Sequence, residues 1–238
     1  NGKSLFQMSL ERISKIKDIR SPIIVTSKLY EHIIKDELEQ LSIKAQIILE
    51  PQMKNTTASI YLSAKYSEPN DVLLIMPSDH IIENVNKFKE IIDLARENVF
   101  KNWIVFGIPP NYPSTSYGYI KTNHIVTDIN ADQDKINDVL KFIEKPDIKL
   151  AEEIYKTKKF LWNSGIFMSS RNIILESINK WNQLISKRCD EVFENATFDS
   201  INMIVNFNYE LFNKIPSQSI DYSVIEKIKN IKCIRLDV

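Results

Sequence analysis

The segment that decides the fold is VLLIMPSDH, residues 72–80. Its leading apolar run predicts a strand buried on both faces of a parallel sheet. Pro77 cannot extend a central strand, so we expect the chain to leave the sheet there. Asp79 would then follow the carboxyl end of the strand, where open α/β sheets bind ligands, and its carboxylate suits a hard cation such as Mg²⁺. A cap on the helix that begins near Asn84, or a simple loop turn, is the open alternative for Asp79.

Strand and helix patterns alternate on both sides of this segment. Ser4 is placed to cap an amphipathic first helix. The alternation has short links and predicts an α/β fold, Rossmann-like, with a mostly parallel central sheet and helices on both faces. Before Gly107, strands are predicted over 22–26, 45–50, 72–76 and 103–107, and helices over 4–18, 30–41, 56–66 and 85–99.

Composition excludes several classes of protein. The 238 residues carry 31 basic and 31 acidic side chains, so the formal net charge is zero and nucleic acid is not an expected partner. No apolar run approaches the roughly 18 residues that span a bilayer, and no secretory leader is recognisable, so we expect no membrane association. The two cysteines have no metal-type or redox-type neighbour, which fits a cytoplasmic location. Four dispersed glycines cannot build a Walker or dinucleotide loop.

Polar residues interrupt the apolar pattern at two further places in the first part of the chain. After the strand that ends near Glu50, either Asn55 or Thr56 can cap the next helix, and the free N–H groups there could meet an anion or a base edge. Plain capping is the alternative. Gly118 lies between two tyrosines in a strand, which indicates either close approach of a ligand to the backbone or a bulge.

Three polar groups follow in the second part. Glu144 and Lys145 end an apolar strand, where a carboxylate can accept two sugar hydroxyls while the ammonium meets a phosphate; a solvated surface turn is the alternative. Asn163, in the predicted tight turn LWNSG, could donate and accept at once or form an Asx turn. Asp221, in SIDY, could cap a helix.

In their order along the chain, six blocks resemble those of the mannose-1-phosphate guanylyltransferases, a branch of the sugar-phosphate nucleotidyltransferases. The resemblance covers essentially the whole chain. The pairing of WNSG with SIDY favours the mannose branch over the glucose and N-acetylglucosamine enzymes. The blocks are LEP with NT within 49–56, PSDHI at 77–81, YGYI at 117–120, FIEKPD at 142–147, LWNSG at 161–165 and SIDY at 219–222.

The resemblance implies a nucleotidyltransferase fold over residues 1–238, with a nucleotide-binding half over roughly 1–108 and a sugar-phosphate-binding half over 109–238. It implies transfer of GMP from GTP to mannose 1-phosphate, with Mg²⁺ as cofactor, giving GDP-mannose and pyrophosphate. GTP and mannose 1-phosphate are therefore the expected partners. We further expect either a homo-oligomer or a second polypeptide that completes this chain.

The resemblance also implies roles for individual residues. Asp79 would hold the Mg²⁺ that bridges the reacting phosphates, and Lys145 would meet the sugar phosphate; these two are the catalytic candidates. The nucleotide side would be lined by Glu50, Asn55, Thr56, Pro77 and Ser78. The sugar-phosphate side would be lined by Gly118, Glu144, Lys145, Asn163 and Asp221.

Two signatures of the resembled family are absent from this sequence. One is a glycine-rich loop, GxGTRLxP, with a catalytic lysine, expected ahead of SLFQ at 4–7. The other is a second metal-binding aspartate, expected after IRLD at 234–237. We therefore expect the chain to be incomplete at both ends and impaired or inactive on its own. The alternatives are a nucleotidyltransferase for another sugar phosphate or nucleotide, and a non-catalytic regulatory subunit with the same fold.

Overall fold

The structure, a computed structural model, describes residues 2–123 and 136–237. A 3₁₀ turn at Lys28–Tyr30 and a π-helical turn at Asp221–Ile225 accompany the regular elements. The α-helices of the described residues are α1 (Leu5–Ile13), α2 (Glu31–Leu41), α3 (Thr56–Tyr66), α4 (Val85–Arg96), α5 (Ile148–Thr157), α6 (Arg171–Trp181), α7 (Gln183–Glu194) and α8 (Tyr209–Asn213). The strands are β1 (Ile23–Ser27), β2 (Gln46–Glu50), β3 (Val72–Ile75), β4 (Trp103–Ile108), β5 (Tyr119–Thr122), β6 (Ile136–Ile143), β7 (Phe160–Ser170), β8 (Thr197–Asp199), β9 (Ile204–Asn206) and β10 (Ile231–Arg235).

The chain forms two compact units, each assembled from separate segments. The first unit comprises the residues up to Pro69 together with Ser78–Ile81 and Ile174–Ser223. The second comprises Asn70–Pro77, the described residues of Ile82–Ile173, and the chain from Val224 onward. The predicted division of ligand binding near residue 108 stays a prediction.

The first unit is built on a four-stranded sheet in the order β1-β2-β9-β8. The pairs β1–β2 and β2–β9 are parallel, and β8–β9 is antiparallel. All five residues of β2 are buried, and Leu49 is packed in a cluster with Leu10 of α1 and Leu38 of α2. This packing fixes the carboxyl end of β2, where Glu50 lies.

The second unit is built on a six-stranded sheet in the order β3-β7-β4-β10-β6-β5, in which β5 also pairs with β7. The β4–β10 pair is parallel, whereas β7 and β6 run antiparallel to their neighbours. Tyr119, Trp162 and Ile154 pack together in a buried cluster. The strands β5 and β7 therefore place Gly118 and Asn163 at neighbouring positions, since Tyr119 pairs with Trp162.

The α/β fold class is confirmed, and the strand predicted over 72–76 forms as β3. The predicted mostly parallel central sheet is wrong, because within the described residues only the β4–β10 pair of the six-stranded sheet is parallel. The prediction that β3 is buried on both faces of a parallel sheet is wrong. It pairs antiparallel with β7, and its residues are half-buried. An apolar run predicts a strand, but it does not predict whether the neighbouring strand is parallel or antiparallel. Here the neighbour is β7, which lies far away in the sequence.

The first helix begins as predicted and ends early. The Ser4 side chain accepts from the Gln7 N–H, and the Gln7 side chain caps the Ser4 N–H in return, which forms a capping box. The helix ends at Ile13, not near residue 18. Within residues 2–123 and 136–237, no helix is both long and apolar enough to cross a membrane.

Candidate functional site

The turn after β3 exposes Ser78 and Asp79. Across the two described ranges, the Asp79 carboxylate makes no hydrogen bond or ion pair. The cap of α4 is Asn84, whose side chain accepts from the Lys87 N–H at 3.0 Å. The helix-cap alternative for Asp79 is therefore wrong, and its carboxylate is open to a ligand.

The described residues contain no group of three or more His, Cys, Asp or Glu side chains that could hold a metal ion. An exposed single carboxylate therefore does not suit a fully protein-bound metal. It does suit Mg²⁺, which commonly takes one or two carboxylates and completes its octahedron with waters and substrate phosphates. Asp79 is the residue on which such an ion could be held.

Glu50 is a buried carboxyl at the end of β2. The residue is only 8% exposed. Its Oε1 atom has no hydrogen-bond partner in the described part of the chain. Burial raises the pKa of Glu50 to about 7, because the charged form loses its hydration. The group can thus gain or lose a proton near neutral pH.

The start of α3 contacts the segment that carries Asp221. Asn55 has a left-handed backbone (φ 66°), and its side chain accepts from the Thr56 N–H at 2.8 Å, so the capping alternative holds for Asn55. The Thr56 hydroxyl accepts from the Ile220 N–H at 2.9 Å. The structure therefore brings Thr56 close to Asp221, which is half-buried. These residues belong to the first unit, as do Glu50 and Asp79.

In the second unit, Gly118 lies against the Glu144 side chain. A Cβ atom at position 118 would lie 2.5 Å from Glu144 Oε2 and 3.3 Å from Asn163 Cβ. The irregularity of the β5–β6 register falls at Lys121 and Thr122, so the bulge alternative does not describe Gly118. A side chain at this position would have to displace the Glu144 carboxylate.

Glu144 and Lys145 differ sharply in exposure. The Glu144 side chain is 7% exposed and the Lys145 side chain 57%, with 3.8 Å between Lys145 Nζ and Glu144 Oε1. The Glu144 N–H donates to Glu226 Oε1 at 3.1 Å, and Lys145 has a left-handed backbone (φ 42°). The solvated-turn alternative is therefore wrong for Glu144, whereas the Lys145 ammonium is accessible to an anion.

Asn163 is held beside Gly118 from both sides. Its N–H donates to the Gly118 carbonyl at 2.7 Å, and its Oδ1 accepts from the Gly165 N–H at 3.2 Å. The Asx-type bond thus forms, but the predicted tight turn is wrong, because these residues lie inside β7. Gly165 has φ 71°, and a Cβ there would lie 3.6 Å from Pro77 Cγ.

One residue next to the Asp79 turn escaped prediction. Arg12 of α1 is buried, and its Nη2 donates to the His80 carbonyl at 2.6 Å. The pKa of the half-buried His80 is lowered by burial, raised by Asp79 and lowered again by Arg12. The buried residues of α1 are Gln7, Ser9, Leu10 and Arg12. Three of these four are polar or charged, so the pattern of apolar residues could not predict that Arg12 is buried.

Residues 1–204 match the model of the family described as Nucleotidyl transferase. The chain belongs to the nucleotidyl transferase family. This nucleotidyl transferase chain is 30% identical to the mannose-1-phosphate guanylyltransferase of Escherichia coli over 99% of its length, which corresponds to 51% of that relative. It is 32% identical to the alginate biosynthesis protein AlgA of Pseudomonas aeruginosa over 94% of its length and 46% of that relative. The chain spans about half the length of the curated relatives it matches.

Two solved structures share the architecture of this nucleotidyl transferase. One is named mannose-6-phosphate isomerase of Helicobacter pylori, with a TM-score of 0.87 and 28% identity over 100% of this chain and 91% of that one. The other is named mannose-1-phosphate geranyltransferase of Thermus thermophilus, with a TM-score of 0.79 and 20% identity over 98% and 64%. The nucleotidyltransferase fold and the resemblance to mannose-1-phosphate guanylyltransferases are confirmed.

Proposed function

We propose that the chain is the nucleotidyltransferase part of a mannose-1-phosphate guanylyltransferase, which transfers GMP from GTP to mannose 1-phosphate and releases pyrophosphate. The observation that carries the proposal is the group formed by Gly118, Glu144 and Asn163. A buried carboxylate and an amide lie there beside a backbone position that leaves no room for a side chain. Such a group can accept and donate hydrogen bonds to the hydroxyls of a sugar.

Lys145 completes the sugar-phosphate side. Its ammonium is exposed and lies 3.8 Å from Glu144 Oε1. An ammonium can attract the sugar phosphate, which must approach the α-phosphorus of the nucleotide as nucleophile. Reactions of this kind depend on positioning and on neutralisation of charge more than on covalent chemistry. The role of Lys145 is accordingly to bind and orient the phosphate.

Glu50 supports a guanine nucleotide. Guanine presents two adjacent donors, N1–H and N2–H₂, and a carboxylate accepts two hydrogen bonds without donating any. The Oε1 atom of Glu50 lacks a partner in the described part of the chain, so donors from a base would satisfy it. Asn55 and Thr56, at the start of α3, would lie on the same nucleotide side, with Pro77 and Ser78 near the phosphates.

Asp79 would hold Mg²⁺, which when bound would neutralise charge on the phosphates. Asp221, on the segment anchored by Thr56, would help to order the nucleotide and sugar-phosphate groups. We further propose a cytoplasmic location, GTP and mannose 1-phosphate as partners, and low activity of the isolated 238 residues. Measurable GDP-mannose formation by that purified chain would contradict the last of these.

A thermal-shift series tests the function. The chain is melted with Mg²⁺ alone and then with GDP-mannose, UDP-glucose or ADP-glucose at equal concentration. At a concentration near 100 times its dissociation constant, GDP-mannose should raise the Tm by about 5 °C or more. UDP-glucose and ADP-glucose should give much smaller shifts. A larger shift with UDP-glucose would indicate another nucleotidyltransferase, and no shift with any of them would favour a non-catalytic subunit.

A further inference from the structure

Arg12 is a charged residue in an unusual environment. It lies near the end of α1 and is only 3% exposed. Arginine is rarely buried to this degree unless a carboxylate pairs with it. No carboxylate in residues 2–123 or 136–237 forms an ion pair with Arg12. Its burial therefore needs an explanation other than a salt bridge.

The guanidinium makes one hydrogen bond through a terminal nitrogen. Nη2 donates to the His80 carbonyl at 2.6 Å, whereas Nη1 has no partner among the described residues. An unsatisfied buried donor is unfavourable, and burial also lowers the pKa of Arg12. An apolar side chain would avoid both effects, so the distinctive contribution of Arg12 is its bond to His80.

The helix that carries Arg12 is itself held in place. Besides the capping box at Ser4, the Ser4 hydroxyl donates to Glu37 Oε2 at 2.8 Å, and Gln7 Nε2 donates to Gln40 Oε1 at 2.8 Å. Both acceptors are on α2. The position of Arg12 is thus fixed by contacts within the first unit, to which Ser78–Ile81 also belongs.

The segment Ser78–Ile81 has little else to hold it. The bond from Arg12 is its one hydrogen bond with the rest of the described residues. Asp79 directly precedes His80, and the Cα atoms of neighbouring residues are about 3.8 Å apart. Fixing the His80 carbonyl therefore restricts the backbone from which the exposed Asp79 carboxylate projects.

We propose that Arg12 is a positioning residue, which holds Ser78–Ile81 through the His80 carbonyl and thereby orients the Asp79 carboxylate for a divalent cation. This inference rests on the proposed function, which assigns the cation to Asp79. It adds a residue of α1 that contacts neither the cation nor a substrate. Residues that orient a metal ligand commonly affect metal affinity about 10–100-fold when they are changed.

The test uses Mn²⁺ alone as a paramagnetic probe of the 238-residue chain. Mn²⁺ is titrated while the NMR amide signals of Asp79 and His80 are followed for line broadening. Arg12→Met should weaken Mn²⁺ binding about tenfold or more and should lower the NMR order parameters of these two amides, because the segment loses its anchor. Arg12→Lys keeps the charge and a donor and should recover part of the affinity. Lys15→Met, an exposed change on the same stretch of chain, is the matched control and should behave like the unmodified protein.

The outcomes separate the inference from the function on which it rests. If the unmodified chain shows no broadening at Asp79, the cation assignment fails. If it does, and Arg12→Met folds and binds Mn²⁺ equally well, the positioning role alone fails. If Arg12→Met does not fold, ¹⁵N-arginine spectra of the unmodified chain decide. A resolved, slowly exchanging Arg12 Nη2–H supports the bond to His80, and averaged Nη signals overturn it.

Discussion

Two buried glutamates, one in each unit, differ in what surrounds the carboxylate. Glu50 ends β2, where it forms no ion pair within the described residues and burial raises its pKa to about 7. Glu144 follows β6, with the Lys145 ammonium 3.8 Å away and Gly118 packed against Oε2. The comparison shows two ways to hold an acceptor at a strand end. Glu50 lies at a strand end that is shielded from water, whereas Glu144 lies next to the Lys145 ammonium.

The largest effect should come from the pH dependence of Glu50. Its folded pKa is raised, so the neutral carboxyl is favoured in the folded state, and its stabilising effect is complete below the unfolded pKa of about 4.5. Stability should fall as pH rises from there through about 7. The loss is at most roughly 3 kcal/mol, since one pKa unit corresponds to about 1.4 kcal/mol. Urea unfolding of the unmodified chain and of Glu50→Gln, measured across this range, checks it.

Glu50→Gln should remove this fall, because glutamine does not titrate. Glu152→Gln, at an exposed position on α5, should leave the slope unchanged. If Glu50→Gln and Glu152→Gln show the same slope, burial does not control Glu50, and the contrast with Glu144 is lost.

Gly118→Ala tests the other side of the comparison. The added methyl would lie 2.5 Å from Glu144 Oε2, so the carboxylate must move. We expect a loss of stability of about 1–3 kcal/mol, typical of overpacking. We also expect weaker binding of mannose 1-phosphate, measured by calorimetry, with GTP binding retained. Thr115→Ala, at an exposed neighbouring position, is the control. Unchanged sugar-phosphate affinity in Gly118→Ala would show that the Glu144 position does not matter for the ligand.

A smaller effect is expected at the start of α3, where two threonines form a matched pair. The Thr56 hydroxyl accepts from the Ile220 N–H, whereas the Thr57 hydroxyl is fully buried without a partner among the described residues. Thr56→Val should lower the free energy of unfolding by about 1 kcal/mol, and Thr57→Val should be neutral or stabilising. Equal destabilisation in urea would mean that the Thr56 bond does not anchor the Asp221 segment.

Local signals in the sequence predicted local structure well. The caps at Ser4 and Asn55 and the exit from β3 before Pro77 follow from side-chain and ring chemistry within a few residues. Two features could not be predicted in this way: the antiparallel pairing of β3 with β7, and the irregular pairing of β7 with β4 near Asn163. Both depend on pairing between segments that are distant in sequence.

The same distinction between local and long-range signals holds for the candidate site. The ordered blocks identified Asp79, Gly118 and Glu144, and the structure supplies the close approach of the last two. Arg12 gave no signal, since its contact with His80 joins residues 68 positions apart. The ligand roles of all these residues stay predictions.

The central claim is that Glu50 is the acceptor for the nucleotide and Glu144 the acceptor for the sugar phosphate. Calorimetry at about pH 8, where Glu50 should be mostly ionised, tests it with GTP and mannose 1-phosphate titrated separately. We predict that Glu144→Gln weakens mannose 1-phosphate binding about tenfold and leaves GTP unaffected, since a hydrogen bond to a charged group contributes about 1.5–3 kcal/mol. Glu50→Gln should do the reverse. Equal losses for both ligands in either variant, or the opposite pairing, would contradict the account.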